Sequence, residues 1–255
     1  MQSRANIVRM GAAISLIVPA IMSAVQLLIG VFSKPPQRPA AIQPAHQTSV
    51  EELVTHSRAV GVDPVRRYNV AVAGLTGSGK STFVNVVRGL RDYDDGAAAV
   101  GVVETTMVKQ EYQHPSCEHL SVWDLPGGGT DAHPGKLYWY DNALYAFDAV
   151  LLFYSGKAVP PFVTECIAQL RSIDVSCVLV KAKVDEEVKD LVERGLNERD
   201  ACQQLRSLTD ECVARDVGGG VQLYMVSSRD LRSGRARFDE AALLKYVADR
   251  GLLRH

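Results

Sequence analysis

The sequence predicts an α/β fold built on a mainly parallel, doubly wound sheet, with an apolar helix ahead of it. Three observations carry this reading. Short apolar runs suited to buried strands alternate with stretches of helical spacing. Gly74-Leu75-Thr76-Gly77-Ser78-Gly79-Lys80-Ser81 fits G-x-x-x-x-G-K-[ST], the phosphate-binding P-loop, and lies between one such strand and one such helix. From Met10 to Phe32 there is no charged residue.

The apolar N-terminus comes first along the chain. As a helix it would be roughly 34 Å long, against about 30 Å of bilayer hydrocarbon. A cleaved signal peptide, a buried core helix and a membrane anchor compete for it. The run is long for a signal peptide, and a Pro-rich spacer separates it from the globular part, so the anchor is preferred. Charges flanking the segment are nearly balanced and do not orient it, but use of a nucleotide puts the C-terminal side in the cytosol. Pro19 near its middle leaves open a bent hairpin with both ends cytosolic, so the attachment is single-pass or monotopic. Met1-Gln2 lacks the glycine needed for myristoylation. The expected layout is a membrane segment over 1–32, a linker over 33–48 holding Pro35, Pro36, Pro39 and Pro44, and a nucleotide-binding domain over 49–255.

Within that domain, Ser49-x-x-Glu52 resembles a capping box opening a helix to about Val60. Tyr68–Ala73 is a buried strand and Thr82–Leu90 a helix. Asp92–Thr106, rich in Gly, Ala and Asp, reads as a mobile loop. Met107–Tyr112 suits an edge strand, Leu120–Trp123 a buried strand and Lys136–Ala146 a helix. Ala149–Tyr154, Cys177–Val180 and Val221–Val226 read as strands. Phe162–Ile173, Leu196–Ala214 and Phe238–Asp249 read as helices. A net charge of −1 over 255 residues gives no sign of a nucleic-acid surface. Five scattered cysteines, an odd count, suit a reducing compartment rather than a disulfide framework.

The P-loop supplies inward N–H groups and a helix N-terminus for phosphate, through Gly74, Thr76, Gly77, Ser78, Gly79 and Thr82. Lys80 would reach the β- and γ-phosphates, and Ser81 would ligate Mg²⁺. Asp124-x-x-Gly127 follows a buried strand, which suits Asp124 to hold Mg²⁺ through water and the Gly127 N–H to sense a γ-phosphate. Lys183-Val184-Asp185 is the K-x-D half of a guanine-reading motif. A carboxylate at Asp185 accepts from N1–H and the 2-amino group, donors that adenine lacks there. The competing reading is a solvated charged turn, since Glu186, Glu187 and Lys189 follow. Ser227 and Ser228, after the last strand, would close over the base with backbone N–H groups. No Ser-His-Asp or Cys-His arrangement is legible, and His114 and His133 suit structural or solvated roles.

The full set resembles the immunity-related (interferon-inducible) GTPase family. The likeness peaks at Gly101-Val102-Val103-Glu104-Thr105-Thr106-Met107, at Tyr112-Gln113-His114-Pro115, and at Trp123-Asp124-Leu125-Pro126-Gly127-Gly128-Gly129-Thr130, with Pro134 and Tyr138 soon after. The resemblance implies a Ras-like G domain, GTP or GDP binding with Mg²⁺, and slow hydrolysis stimulated by self-association on membranes. It assigns Thr106 to Mg²⁺ and the γ-phosphate. It makes Glu104 a catalytic candidate when two G domains face each other, because Gly128 stands where other Ras-like domains orient water. A membrane scaffold or binding module with negligible hydrolysis is the alternative. The sequence departs from the family in three ways: Ala182 replaces a Thr or Asn before K-x-D, His255 leaves no room for a C-terminal helical domain, and the N-terminus is apolar.

The Ala182 departure removes a hydrogen bond that steadies the base loop. Ala182→Thr is therefore expected to tighten nucleotide binding in titration calorimetry, and an unchanged Kd would refute that.

Overall fold

The computed structural model describes residues 67–101, 108–129 and 135–251, together with positions 55, 59, 61 and 62. The chain divides into two units, Met1–Pro36 with His255 and Gln37–Arg254, and every described residue belongs to the second. The expected membrane segment over 10–32, the linker, Glu104 and Thr106 lie outside the described residues. So does the capped helix before Val60, apart from helical positions 55 and 59. Among the described residues, no helix is long and apolar enough to cross a membrane.

The organising strand is β1, Tyr68–Gly74, with all its residues buried. It lies parallel between β3, Cys117–Asp124, and β4, Ala149–Tyr154. With β2 (Gln110–His114), β5 (Cys177–Lys181) and β6 (Gln222–Met225) the sheet runs β2-β3-β1-β4-β5-β6. Among these strands only β2 is antiparallel, hairpinned onto β3 with a register shift at Gln113/His114. The apolar runs over 70–73 in β1 and Ala149–Tyr154 in β4 follow from coverage on both faces. Strand alternation sorts their side chains. Ala71, Ala73, Val150 and Leu152 enter one core, while Val70, Val72, Leu151 and Phe153 enter the other.

The first core packs against α2 (Gly135–Asp141) and α3 (Pro161–Ser172), through Tyr138, Trp139, Phe162, Ile167 and Leu170. The second packs against α1 (Lys80–Val87) and the last helix, α7 (Glu240–Gly251), through Phe83, Val84, Leu243 and Val247. A third cluster joins α4 (Val184–Glu193) to α5 (Glu198–Asp216). A short α6 (Ser228–Arg232) follows β6. Because α1 leaves β1 on one face and α2 follows β3 on the other, adjacent β1 and β3 form a topological switch point, where ligands of such sheets bind.

Several boundaries differ from the sequence reading. The edge strand begins at Gln110 rather than Met107, and β3 begins at Cys117 rather than Leu120, because the two are consecutive arms of one hairpin. The helix expected over Lys136–Ala146 stops at Asp141. The Asn142 amide donates to Tyr138 O at 3.1 Å, Ala143 takes a left-handed conformation (φ 51°), and a 3₁₀ turn covers Leu144–Ala146. The charged turn that competed for Glu186–Lys189 is helix α4. Val184 and Val188 alone are its buried residues, too thin a stripe to show in the sequence. Helix α5 begins after Leu196, where the Asn197 side chain accepts from the Asp200 N–H at 2.9 Å.

His114 is buried where β2 turns into β3, and its Nδ1 accepts from the Ser116 N–H at 3.2 Å. Burial, aided by nearby Arg88, holds its imidazole below the ordinary histidine range. The folded state therefore favours the neutral ring, and its stabilising contribution is complete only above the ordinary value of about 6.5. As pH falls from there towards the lowered value, the unfolded chain takes up the proton first and stability drops. A His114→Gln variant is expected to show a flatter Tm between about pH 7 and pH 5 than the parent chain. Parallel curves in thermal melts would refute it.

Candidate functional site

The site is built on the carboxyl ends of the parallel strands. Gly74 closes β1, and Gly79 caps α1 in a left-handed conformation (φ 88°) that brings Lys80 and Ser81 into the first helical turn. Gly77 is also left-handed (φ 73°). The Ser78 hydroxyl and amide both turn back to Leu75 O, at 2.7 and 3.3 Å. Lys80 is buried, and its ammonium lies 2.9 Å from Leu75 O and 3.3 Å from Gly74 O, inside the curve of the loop.

Asp124 ends β3 beside Val72 of β1 and is buried. The Ser81 hydroxyl donates to Asp124 Oδ2 at 2.6 Å. The two residues read from sequence as Mg²⁺ ligands, far apart in the chain, thus meet at the switch point. A hydroxyl and a carboxylate are hard oxygen donors suited to Mg²⁺, which takes few protein ligands and completes its shell with phosphate and water. Among the described residues, no group of three or more His, Cys, Asp or Glu could hold a metal by itself. The donor set therefore fits an ion held jointly with a phosphate ligand.

The loop that follows Asp124 is bound into the P-loop at Gly127 and Gly128. The Gly128 N–H donates to Gly74 O at 3.0 Å, and the Thr76 N–H donates to Gly128 O at 3.3 Å. A Cβ on Gly127 would fall on Thr76, backbone included. A Cβ on Gly128 would fall on the Phe162 ring and Tyr138. Tyr138 in turn donates its hydroxyl to Pro126 O at 2.7 Å and packs edge-on against Phe162. Any side chain at Gly128 meets that aromatic pair.

At the other end of the site, Lys183 is left-handed (φ 60°) and caps α4, placing Asp185 in the first helical turn. The Ala182 N–H donates to Tyr154 O at 2.8 Å, and the Val226 N–H donates to Lys181 O at 2.8 Å, fastening this turn to its neighbours. The Asp185 carboxylate is mostly buried and lies 3.3 Å from exposed Arg229. Behind the turn, buried Lys181 donates to Glu187 and Thr209 at 3.1 and 3.2 Å.

Ser227 is placed differently from the sequence reading. Its N–H donates inward to Glu240 Oε1 at 3.0 Å, and its hydroxyl accepts from the Asp230 N–H at 3.1 Å. Its amide is thus already engaged, while Ser228 is the first residue of α6. Glu240 is itself buried, and its other oxygen accepts from the Phe238 N–H at 2.9 Å. Sequence reasoning missed Glu240, Arg229 and Lys181. A lone acidic residue opening an amphipathic helix carries no signal that it will be buried.

The Interferon-inducible GTPase (IIGP) family model matches residues 51–233, a span containing the P-loop, Asp124–Gly127 and Lys183–Asp185. The chain belongs to that family. Mouse Interferon-inducible GTPase 1 is 32% identical over 168 residues, 64% of this chain and 40% of that protein. Rat Interferon-inducible GTPase 5 is 31% identical over 168 residues, covering 64% and 35%. Mouse T-cell-specific guanine nucleotide triphosphate-binding protein 2 is 26% identical over 168 residues, covering 64% and 40%. The match therefore spans well under half the length of these relatives.

The packing around Gly128 generates a prediction. Gly128→Gln, which restores the side chain type used elsewhere to orient water, should destabilise the chain by about 1–3 kcal/mol through overpacking. Denaturant unfolding checks this. A midpoint equal to that of the parent chain would refute it.

Proposed function

We propose that this chain binds GTP and GDP with Mg²⁺ and hydrolyses GTP slowly, anchored to a membrane through residues 10–32 with its G domain in the cytosol. The observation that carries the nucleotide reading is the 2.6 Å contact between Ser81 and Asp124 beside the buried ammonium of Lys80. Mg²⁺, when bound, would neutralise charge on the β- and γ-phosphates. Ser81 and Asp124 would hold it, with Thr106 as a further ligand assigned by the resemblance. Lys80 places a positive charge inside the loop where phosphate oxygens gather, and Asp185 accepts from the guanine edge. Water would attack the γ-phosphate in line.

A second reading, a nucleotide-dependent binding module with negligible turnover, is favoured by the contacts of Gly128. No side chain there can aim a water, and the aromatic pair occupies the space one would need. Glu104, contributed across a pair of facing G domains, would supply the missing function, and low basal turnover is expected without it. The apolar run supports attachment to a bilayer by its length and lack of charge.

Titration of GTP, GDP and ATP into the full chain in mild detergent with Mg²⁺ tests the reading. Guanine-selective binding is expected, lost in Lys80→Ala and in Asp185→Asn. Equal competition by ATP would sink the guanine assignment. Turnover that rises with protein concentration and collapses in Glu104→Ala would select the enzyme over the binding module.

A further inference from the structure

The segment Asp92–Gly101 carries no helix or strand, as its composition predicts, yet its first part is tied down. Asn85, fully buried in α1, does this with its amide. Its Nδ2 donates to Ala98 O and to Asp92 Oδ1, both at 3.0 Å, and its Oδ1 accepts from the Ala98 N–H at 2.7 Å. The Asp94 carboxylate folds back on the Arg91 N–H at 2.7 Å. Asp92 then meets Arg232 from α6 in a two-pronged ion pair, at 2.7 and 2.5 Å, and Arg232 also reaches Thr82 O at 3.4 Å.

This network joins three pieces of the site. Helix α1 carries Lys80 and Ser81 at the phosphate end. Helix α6 begins with Ser228 at the base end. The loop between Arg91 and Ala98 runs on towards 102–107, where the family resemblance puts Glu104 and Thr106. Its two joints differ in kind. Asn85 is sealed in the core, so releasing the loop there would leave buried amide groups without partners, which is costly. The Arg232–Asp92 pair is partly exposed, with 30% and 27% of the two side chains open to solvent, and can open into water. It is bidentate, the arrangement in which Arg fixes direction as well as distance.

We propose that Arg232 is a positioning residue that couples the base end of the site to the loop Arg91–Ala98, which leads in sequence to Glu104 and Thr106. A nucleotide that orders Ser228 and α6 sets Arg232 over Asp92, and Asp92 holds Arg91–Ala98 against α1. The proposal rests on the nucleotide-binding reading above. Arg232 touches no ligand in it and acts only through Asp92.

Hydrogen–deuterium exchange on the full chain in detergent, with and without GDP and Mg²⁺, tests it in the parent chain, Arg232→Gln, Arg232→Lys and Asp92→Asn. In the parent, GDP should slow exchange in peptides covering 74–82 and also in those covering 91–98. Arg232→Gln should keep the first effect and lose most of the second, by about fivefold or more in rate, with partial rescue in Arg232→Lys. Asp92→Asn should behave as Arg232→Gln does, and carries the test if the latter fails to fold. A merely structural pair would speed exchange at 91–98 equally with and without GDP, and that result overturns the proposal. So does slowing at 91–98 that survives in Arg232→Gln or Asp92→Asn. If GDP slows 74–82 in the parent but not 91–98, the coupling alone is wrong. If GDP slows neither, the nucleotide reading fails and the coupling goes with it.

Discussion

One short hydrogen bond, from the Ser81 hydroxyl to the Asp124 carboxylate, depends on nearly everything else in this fold. It exists because β1 and β3 are adjacent and parallel, with Val72 opposite Asp124, while their following helices leave on opposite faces. Parallel pairing puts both carboxyl ends at the same edge, and the divergence of the helices opens a crevice between them. Continuous burial of β1 keeps that register, because slipping by one residue would exchange the Val70/Val72 face with the Ala71/Ala73 face.

The end of the site around Lys183 and Ser228 is held by a different device. Besides the buried apolar residues that flank its turns, Ala182, Val184, Met225 and Val226, it carries charged side chains that hold backbone amides and one another. Glu240 accepts two backbone amides, Asp239 accepts from the Met225 N–H at 2.8 Å, and Lys181 bridges Glu187 and Thr209. Buried charges such as Glu240 and Lys181 are tolerable only when paired or hydrogen-bonded, so these groups, with the partly exposed Asp239, specify one arrangement of the loops around Lys183 and Ser228. Ala182, lacking a hydroxyl, adds no side-chain bond to that set.

The loop after Asp124 shows how packing can shape chemistry. Gly127 and Gly128 lie so close to Thr76 and Phe162 that the chain can pass only without side chains. The price of seating this loop against the P-loop is the absence of any group at Gly128 that could act on water. That bareness at Gly128 is a consequence of close packing rather than an accident of composition.

By itself the sequence determined the strand–helix alternation, the P-loop, the positions of Asp124 and Asp185, and the family. Each is a local pattern, since a glycine-rich turn between a buried strand and a helix is written in consecutive residues. Only the tertiary structure decided that Ser227 turns its amide inward to Glu240 and that residues 184–193 form a helix. It alone showed that the loop after Arg91 is pinned by Asn85 and Arg232. Those outcomes depend on partners distant in the chain, such as Asp92 and Arg232, whose pairing leaves no periodicity and no motif. An isolated charge reads the same in sequence whether it will be solvated or will hold two parts of a site together.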